Sequence, residues 1–114
     1  MTKLHAVRGD GATETAPVAA GCLVEGAPVA TTRLDYERDG KSYAGEWSAN
    51  VGAWRVDYEE FEFCHVLEGA CELVPDDGDP QRYEAGDSFV IEPGFRGVWR
   101  VLAPMKKRFF IRYD

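Results

Sequence analysis

Tyr58-Glu59-Glu60-Phe61-Glu62-Phe63-Cys64-His65-Val66-Leu67-Glu68-Gly69 decides the fold. Acidic and apolar residues alternate from Glu60 to Cys64, and the run then turns apolar and stops at a glycine. Successive side chains on a strand face opposite ways, so a period of two predicts a strand buried on one face. Gly69 is expected to turn the chain, with Cys71-Glu72-Leu73-Val74 pairing back. Two further stretches answer this strand. One is Tyr83 to Ile91, broken by the Ala85-Gly86-Asp87 turn. The other is Glu92 to Trp99, which contains a Pro93-Gly94 corner.

Outward from this centre the pattern continues. Val29 to Arg38 reads as a strand, Asp39-Gly40 as a tight hairpin turn, and Ser42 to Ser48 as the returning strand. After a break at Val51-Gly52, Trp54, Val56 and Tyr58 share one face and Arg55 and Asp57 the other. Gln81 to Glu84, Ser88 to Glu92, Gly97 to Leu102 and Arg108 to Tyr113 complete the strands. Turns recur at roughly 8–12 residues and no 3.6-residue period is sustained, which predicts an all-β sandwich or barrel. Residues 1–28 carry no such pattern. They read as an N-terminal arm, or as irregular backbone laid across the barrel or a partner subunit. Residues 29–114 form the single β domain.

The net charge is −7, which argues against nucleic acid and anionic membranes as partners. Lys106-Lys107-Arg108 is too short for a binding patch and reads as a solvated strand end. No apolar run could span a bilayer, and the first residues lack the apolar core of a signal peptide. Cys22, Cys64 and Cys71 show no C-x-x-C spacing, as expected of reduced thiols in the cytoplasm. Pro75-Asp76-Asp77-Gly78-Asp79-Pro80 reads as a solvated hairpin loop, because it lacks the ligand spacing of a calcium loop.

The chain from about Gly45 to Asp114 resembles the cupin superfamily. The resemblance rests on Val66-Leu67-Glu68-Gly69, then Tyr83-x-x-Gly86-Asp87-x-x-x-Ile91, then the Pro-Gly corner. Glu62-Phe63-Cys64, Gly94-Phe95-Arg96-Gly97-x-Trp99 and Trp47…Gly52…Trp54 are similar to the small single-domain cupins of the ureidoglycine aminohydrolase and ethanolamine-utilisation groups. The resemblance implies a double-stranded β-helix, the jelly-roll barrel. It also implies where a metal would sit in a metal-binding cupin: at positions 56, 58, 62 and 97. Here these are Val56, Tyr58, Glu62 and Gly97, and only Glu62 keeps a usual ligand type. With two histidines in the chain, His5 in the arm and His65 out of phase with Glu62, a three-histidine site cannot form within one chain. No metal and no other cofactor is expected.

In the implied phase Glu62 points into the barrel with Cys64. Glu62 is either a site carboxylate, with Tyr58 in support as an acid/base pair, or a structural one held by hydrogen bonds. Trp54, Val56, Cys64 and Trp99 are the candidate ligand pocket, and the tryptophans and the cysteine also fit as core fillers. Arg55 and Arg96 are expected outside or at the rim, and Glu59-Glu60 as a solvated edge. No cation shares the inward face of this strand, so desolvation is expected to favour a neutral Glu62. The expected function is binding of a small polar metabolite without a metal. The alternatives are an aminohydrolase, isomerase or lyase using Glu62, and a structural or accessory protein with a filled barrel. A homodimer is expected, its edge strands covered by the N-terminal segment.

Overall fold

The Asp39-Gly40 hairpin forms as its sequence requires. Both residues adopt positive φ, 54° and 66°, as a turn matched to strand twist demands, and Lys41 completes a three-residue loop between the paired Arg38 and Ser42. The Lys41 N–H donates to the Arg38 carbonyl at 2.9 Å. The computed structural model describes residues 3–114, and these form nine strands. They are β1 (Ala12–Pro17), β2 (Leu23–Gly26), β3 (Val29–Arg38), β4 (Ser42–Ala49), β5 (Gly52–Asp57), β6 (Phe61–Pro75), β7 (Gln81–Glu84), β8 (Ser88–Ile91) and β9 (Arg96–Arg112). Among the described residues there is no helix, and so none long and apolar enough to cross a membrane.

All pairings are antiparallel. The order β1-β3-β4-β9-β5-β2 runs through one sheet, with β6 joined to β9 and carrying β7 and β8. The sheet curls on itself as a jelly roll. Its spine is the long pair β6 and β9, and here two expectations are corrected. Gly69 does not turn the chain, and residues 97–102 and 108–113 are not separate strands. β6 runs through Gly69, paired with β9 before and after it, and the register slips at Val66/Glu68, Glu68/Ala70 and Ala70/Cys71. Bulges bend a strand without ending it. Gly69 has φ +79°, and a Cβ there would overlap the Pro104 carbonyl. Glycine therefore permits the bend at the point where the two long strands fold over together.

The segment before residue 28 is not irregular throughout. β1 pairs with β3 and β2 with β5, at the two ends of the main strand order. Their residues are all exposed. With no buried face they show no period of two, which is why the pattern is silent there. Along β6 and β9 alternation holds over long stretches. Glu62, Cys64 and Val66 are buried, while Phe63 is exposed and His65 lies on the outer face against the Ser88 hydroxyl. The core gathers Cys64, Val66, Leu73, Phe89, Ile91 and Trp99 between the two layers of the roll.

Candidate functional site

Strand register builds the site. Across β3, β4, β9 and β6 the inward row is Thr32, Trp47, Lys107 and Val66, and a second row places Ile111 opposite Glu62. Tyr58, just beyond β5, is pinned by its backbone. Its N–H donates to the Phe95 carbonyl at 2.9 Å, and its carbonyl accepts from Gly94 N–H at 2.6 Å. The Pro93-Gly94 corner thus fixes where the phenol points.

Glu62 is 3% exposed and Lys107 4%. Lys107 Nζ donates to Glu62 Oε2 at 2.8 Å, and the Tyr58 hydroxyl donates to Glu62 Oε1 at 2.7 Å. Each carboxylate oxygen therefore has a donor. Lys107 Nζ also lies 3.5 Å from Cys64 Sγ. It sits over the rings of Trp99 and Trp47, 4.3 and 4.8 Å from their centroids, within cation–π range. Trp47, Trp54 and Trp99 stand 5.7–6.5 Å apart, centroid to centroid.

Burial pushes the Lys107 ammonium down, but the charge of Glu62 and the hydrogen bonds outweigh it, and the net direction is up. Burial and the charge of Glu62 push the Tyr58 hydroxyl up, so it remains a donor. Burial likewise pushes the Cys64 thiol up to about 12 against the opposing charge of Lys107. A neutral thiol is a poor nucleophile, and Cys64 fits as a packing residue.

A cavity of about 200 Å³ opens onto this group. Tyr58, Glu62 and Lys107 line it with Trp47, Trp54 and Trp99, and Val56, Thr32, Phe109 and Ile111 complete the wall. Of the residues singled out from sequence, Glu62, Tyr58, Trp54, Val56 and Trp99 meet there. Cys64 lies outside the lining, behind Lys107. Arg55 and Arg96 sit outside the barrel, paired with Asp76 and Asp57.

Lys107 corrects two expectations. It is not part of a solvated strand end, and Glu62 does not lack a neutralising partner, since the partner comes from β9 rather than from β6. The signal was present: Lys107 keeps the phase of Met105 and Phe109, both buried, while Lys106 and Arg108 take the opposite phase. Trp47, Thr32, Phe109 and Ile111 were also missed, because each reaches the cavity through cross-strand register.

The metal positions of the resemblance do not fit a metal here. Val56 has no donor atom. A side chain at position 97 would overlap the Val74 carbonyl, so with this backbone no ligand could stand there. Glu62 and Tyr58 are bonded to each other, and the Lys107 ammonium lies where a bound cation would meet Glu62. Among the described residues no three His, Cys, Asp or Glu side chains gather as ligands.

Comparison with known proteins accords with this architecture. Residues 36–109 match the family model for the EutQ-like cupin domain. The EutQ protein of Clostridium difficile superposes with a TM-score of 0.67 at 14% identity, over 76% of this chain and 65% of that one. A DUF861 family protein of unknown function from Pseudomonas syringae pv. tomato gives 0.80 at 14% identity, over 92% of this chain but 46% of its own. A DUF861 family protein from Thermotoga maritima is 33% identical over 56% of this chain and 73% of its own, with a TM-score of 0.55. The chain thus spans less than two thirds of the first two structures. A search of curated proteins finds no match. The nine-stranded roll, the inward Glu62 and the match over most of the chain lead to one statement: the chain belongs to the EutQ-like cupin domain family.

Proposed function

We propose that the barrel binds a small metabolite beside the Tyr58–Glu62–Lys107 group without a metal ion. The observation that carries this reading is the buried ion pair facing an open cavity. A filled, structural barrel would bring apolar side chains together there. Instead, three polar groups converge in a recess walled by aromatics, the general character of ligand sites. At about 200 Å³ the recess is smaller than the roughly 300–1,000 Å³ of drug-sized pockets, so it suits a molecule of few atoms. Lys107 supplies the positive charge that a metal gives other barrels of this shape.

The reading of Glu62 as an acid/base residue has one supporting distance. The Tyr58 hydroxyl is within proton-transfer reach of Glu62 at 2.7 Å. Both oxygens of Glu62 are already hydrogen-bonded, which favours a binding and orienting role. Free thiols at Cys22, Cys64 and Cys71 support a reducing, cytoplasmic setting.

The test is an NMR screen of small metabolites in the presence of a chelator, following the indole N–H signals of Trp47, Trp54 and Trp99. Saturable shifts at these signals are expected. Shifts that need an added metal, or none from any compound, would end the metal-free binding reading.

A further inference from the structure

We propose that a second, larger recess binds a small organic cation, with its ammonium at the Glu14 carboxylate and its apolar body against Tyr43, Phe109 and Ile111. This goes beyond the reading of the inner cavity and does not depend on it.

Register places Glu14. It stands opposite Thr32, Thr32 opposite Trp47, and Trp47 opposite Lys107. Residues paired across neighbouring strands share a face of the sheet, so Glu14 takes the face that Trp47 and Lys107 turn inward. It is nevertheless exposed, because β1 is the last strand of that order. A recess of about 590 Å³ opens over this margin of the sheet, walled by Leu34, Tyr43, Phe109, Ile111 and Tyr113 with Glu14 beside them. Ligand pockets typically hold roughly 300–1,000 Å³.

Charge selects the sign of the ligand. Glu14 is the one charged residue of this lining, and among the described residues it takes part in no ion pair. The Tyr113 hydroxyl donates to Glu60 Oε2 at 3.4 Å. Burial, then the charge of Glu60, pushes that hydroxyl up, and no basic group opposes the shift. The recess therefore carries negative charge at Glu14 and, behind Tyr113, at Glu60. A cleft of one sign concentrates ligands of the other and repels its own.

The wall selects the rest of the molecule. Phe109 is buried, Leu34, Tyr43 and Ile111 are half-buried, and the Tyr43 and Tyr113 rings meet edge to face at 6.0 Å. Such a surface gains when it is covered from water. A metal ion would leave it wet, and one carboxylate does not supply the several ligands a metal takes. An amine on an alkyl or aryl body meets both requirements.

Three probes that share an aryl body test this: 2-phenylethylamine, 2-phenylethanol and 3-phenylpropionate. NMR titration follows the ring signals of Tyr43 and Tyr113 for this recess, and the indole N–H signals of Trp54 and Trp99 for the inner cavity. The amine is expected to bind most tightly and to shift the tyrosine signals saturably, leaving the two indoles in place. Glu14→Gln should weaken amine binding by about two- to fivefold, the range of an exposed ion pair, and leave 2-phenylethanol unchanged. Glu14 is exposed, so this variant should fold. Raising salt from about 0.1 to 1 M should weaken amine binding to the wild type in the same way. Equal or tighter binding of the alcohol or the carboxylate would overturn the cation assignment, as would amine binding unchanged in Glu14→Gln. Amine shifts confined to the indoles would overturn the second site and support the reading of the inner cavity. If none of the three binds, the proposal falls, and the metabolite screen decides the inner cavity separately.

Discussion

Two ion pairs in this molecule share a length and little else. Lys107 Nζ and Glu62 Oε2 are 2.8 Å apart, with side-chain exposures of 5% and 4%. Arg55 and Asp76 are also 2.8 Å apart, at 53% and 49%. In water an exposed pair gains little, because solvent screens the charges and the side chains lose freedom. Inside the barrel both groups have given up hydration, and each depends on the other. Distance alone therefore does not rank them. The buried pair need not make the fold more stable than apolar residues would, but its halves cannot be separated cheaply.

The largest predicted effect follows from that asymmetry. Lys107→Met should destabilise the protein by about 3–5 kcal/mol in denaturant unfolding, since it strands Glu62 as an unpaired buried charge. The double variant Glu62→Gln, Lys107→Met should regain part of the loss. If Lys107→Met costs no more than an exposed substitution, the contrast collapses. The pair also leaves a signature in pH. The folded-state value of Lys107 is raised above the ordinary 10.5. Between the two values the folded state holds more protons, so stability falls as pH rises there. This contribution is complete below the unfolded value, is lost as pH rises through the folded one, and should be missing from Lys107→Met.

An arginine shared by two carboxylates sharpens the comparison. Arg33 holds Asp35 at 3.0 Å and Glu46 at 2.9 Å, with side-chain exposures of 28%, 3% and 16%. The hydrogen bond from Arg33 pulls the Asp35 carboxyl below its ordinary value, burial opposes it, and the Gly11 N–H adds to the lowering. Here the unfolded state holds more protons between the two values, so stability rises with pH. The contribution is present above the unfolded value, about 3.9, and is lost as pH falls through the folded one. Asp35→Asn should flatten the acid limb of the stability profile, with a smaller effect than Lys107→Met. An unchanged acid limb would put Asp35 with the solvent-screened pairs.

The smallest effect is expected at the surface. Arg55→Ala should barely move the unfolding midpoint, and raising salt from about 0.1 to 1 M should erase the difference as the screening length shrinks. A large, salt-resistant loss would show that Arg55 and Asp76 brace β5 against the loop after β6.

Much of the architecture was legible because it depends on local chemistry. Asp39-Gly40 can form its turn whatever surrounds it. Alternation around Glu62 and along Trp54, Val56 and Tyr58 follows from the geometry of a strand. Yet Gly69 reads as a turn and residues 103–107 as a gap between two strands. At Gly69 a bulge and a turn both use positive φ, and only pairing with the partner strand shows that β6 and β9 each run on. β1 and β2 left no pattern because an edge strand with no buried face has nothing to alternate.

By itself, the sequence determined that the chain is all-β, where most strands lie, and that Glu62 and His65 face opposite ways. It could not say what meets Glu62. Alternation defines which residues share a face of one strand, not which residues of another strand that face will touch. Lys107 lies 45 positions from Glu62, and its neighbours in sequence are charged, so by composition it belongs to the surface. Only the register of β9 against β4 and β6 turns it inward beneath Trp47 and Trp99. The tertiary structure decided the site because a buried charge is set by what stands opposite it, and that is a property of the sheet.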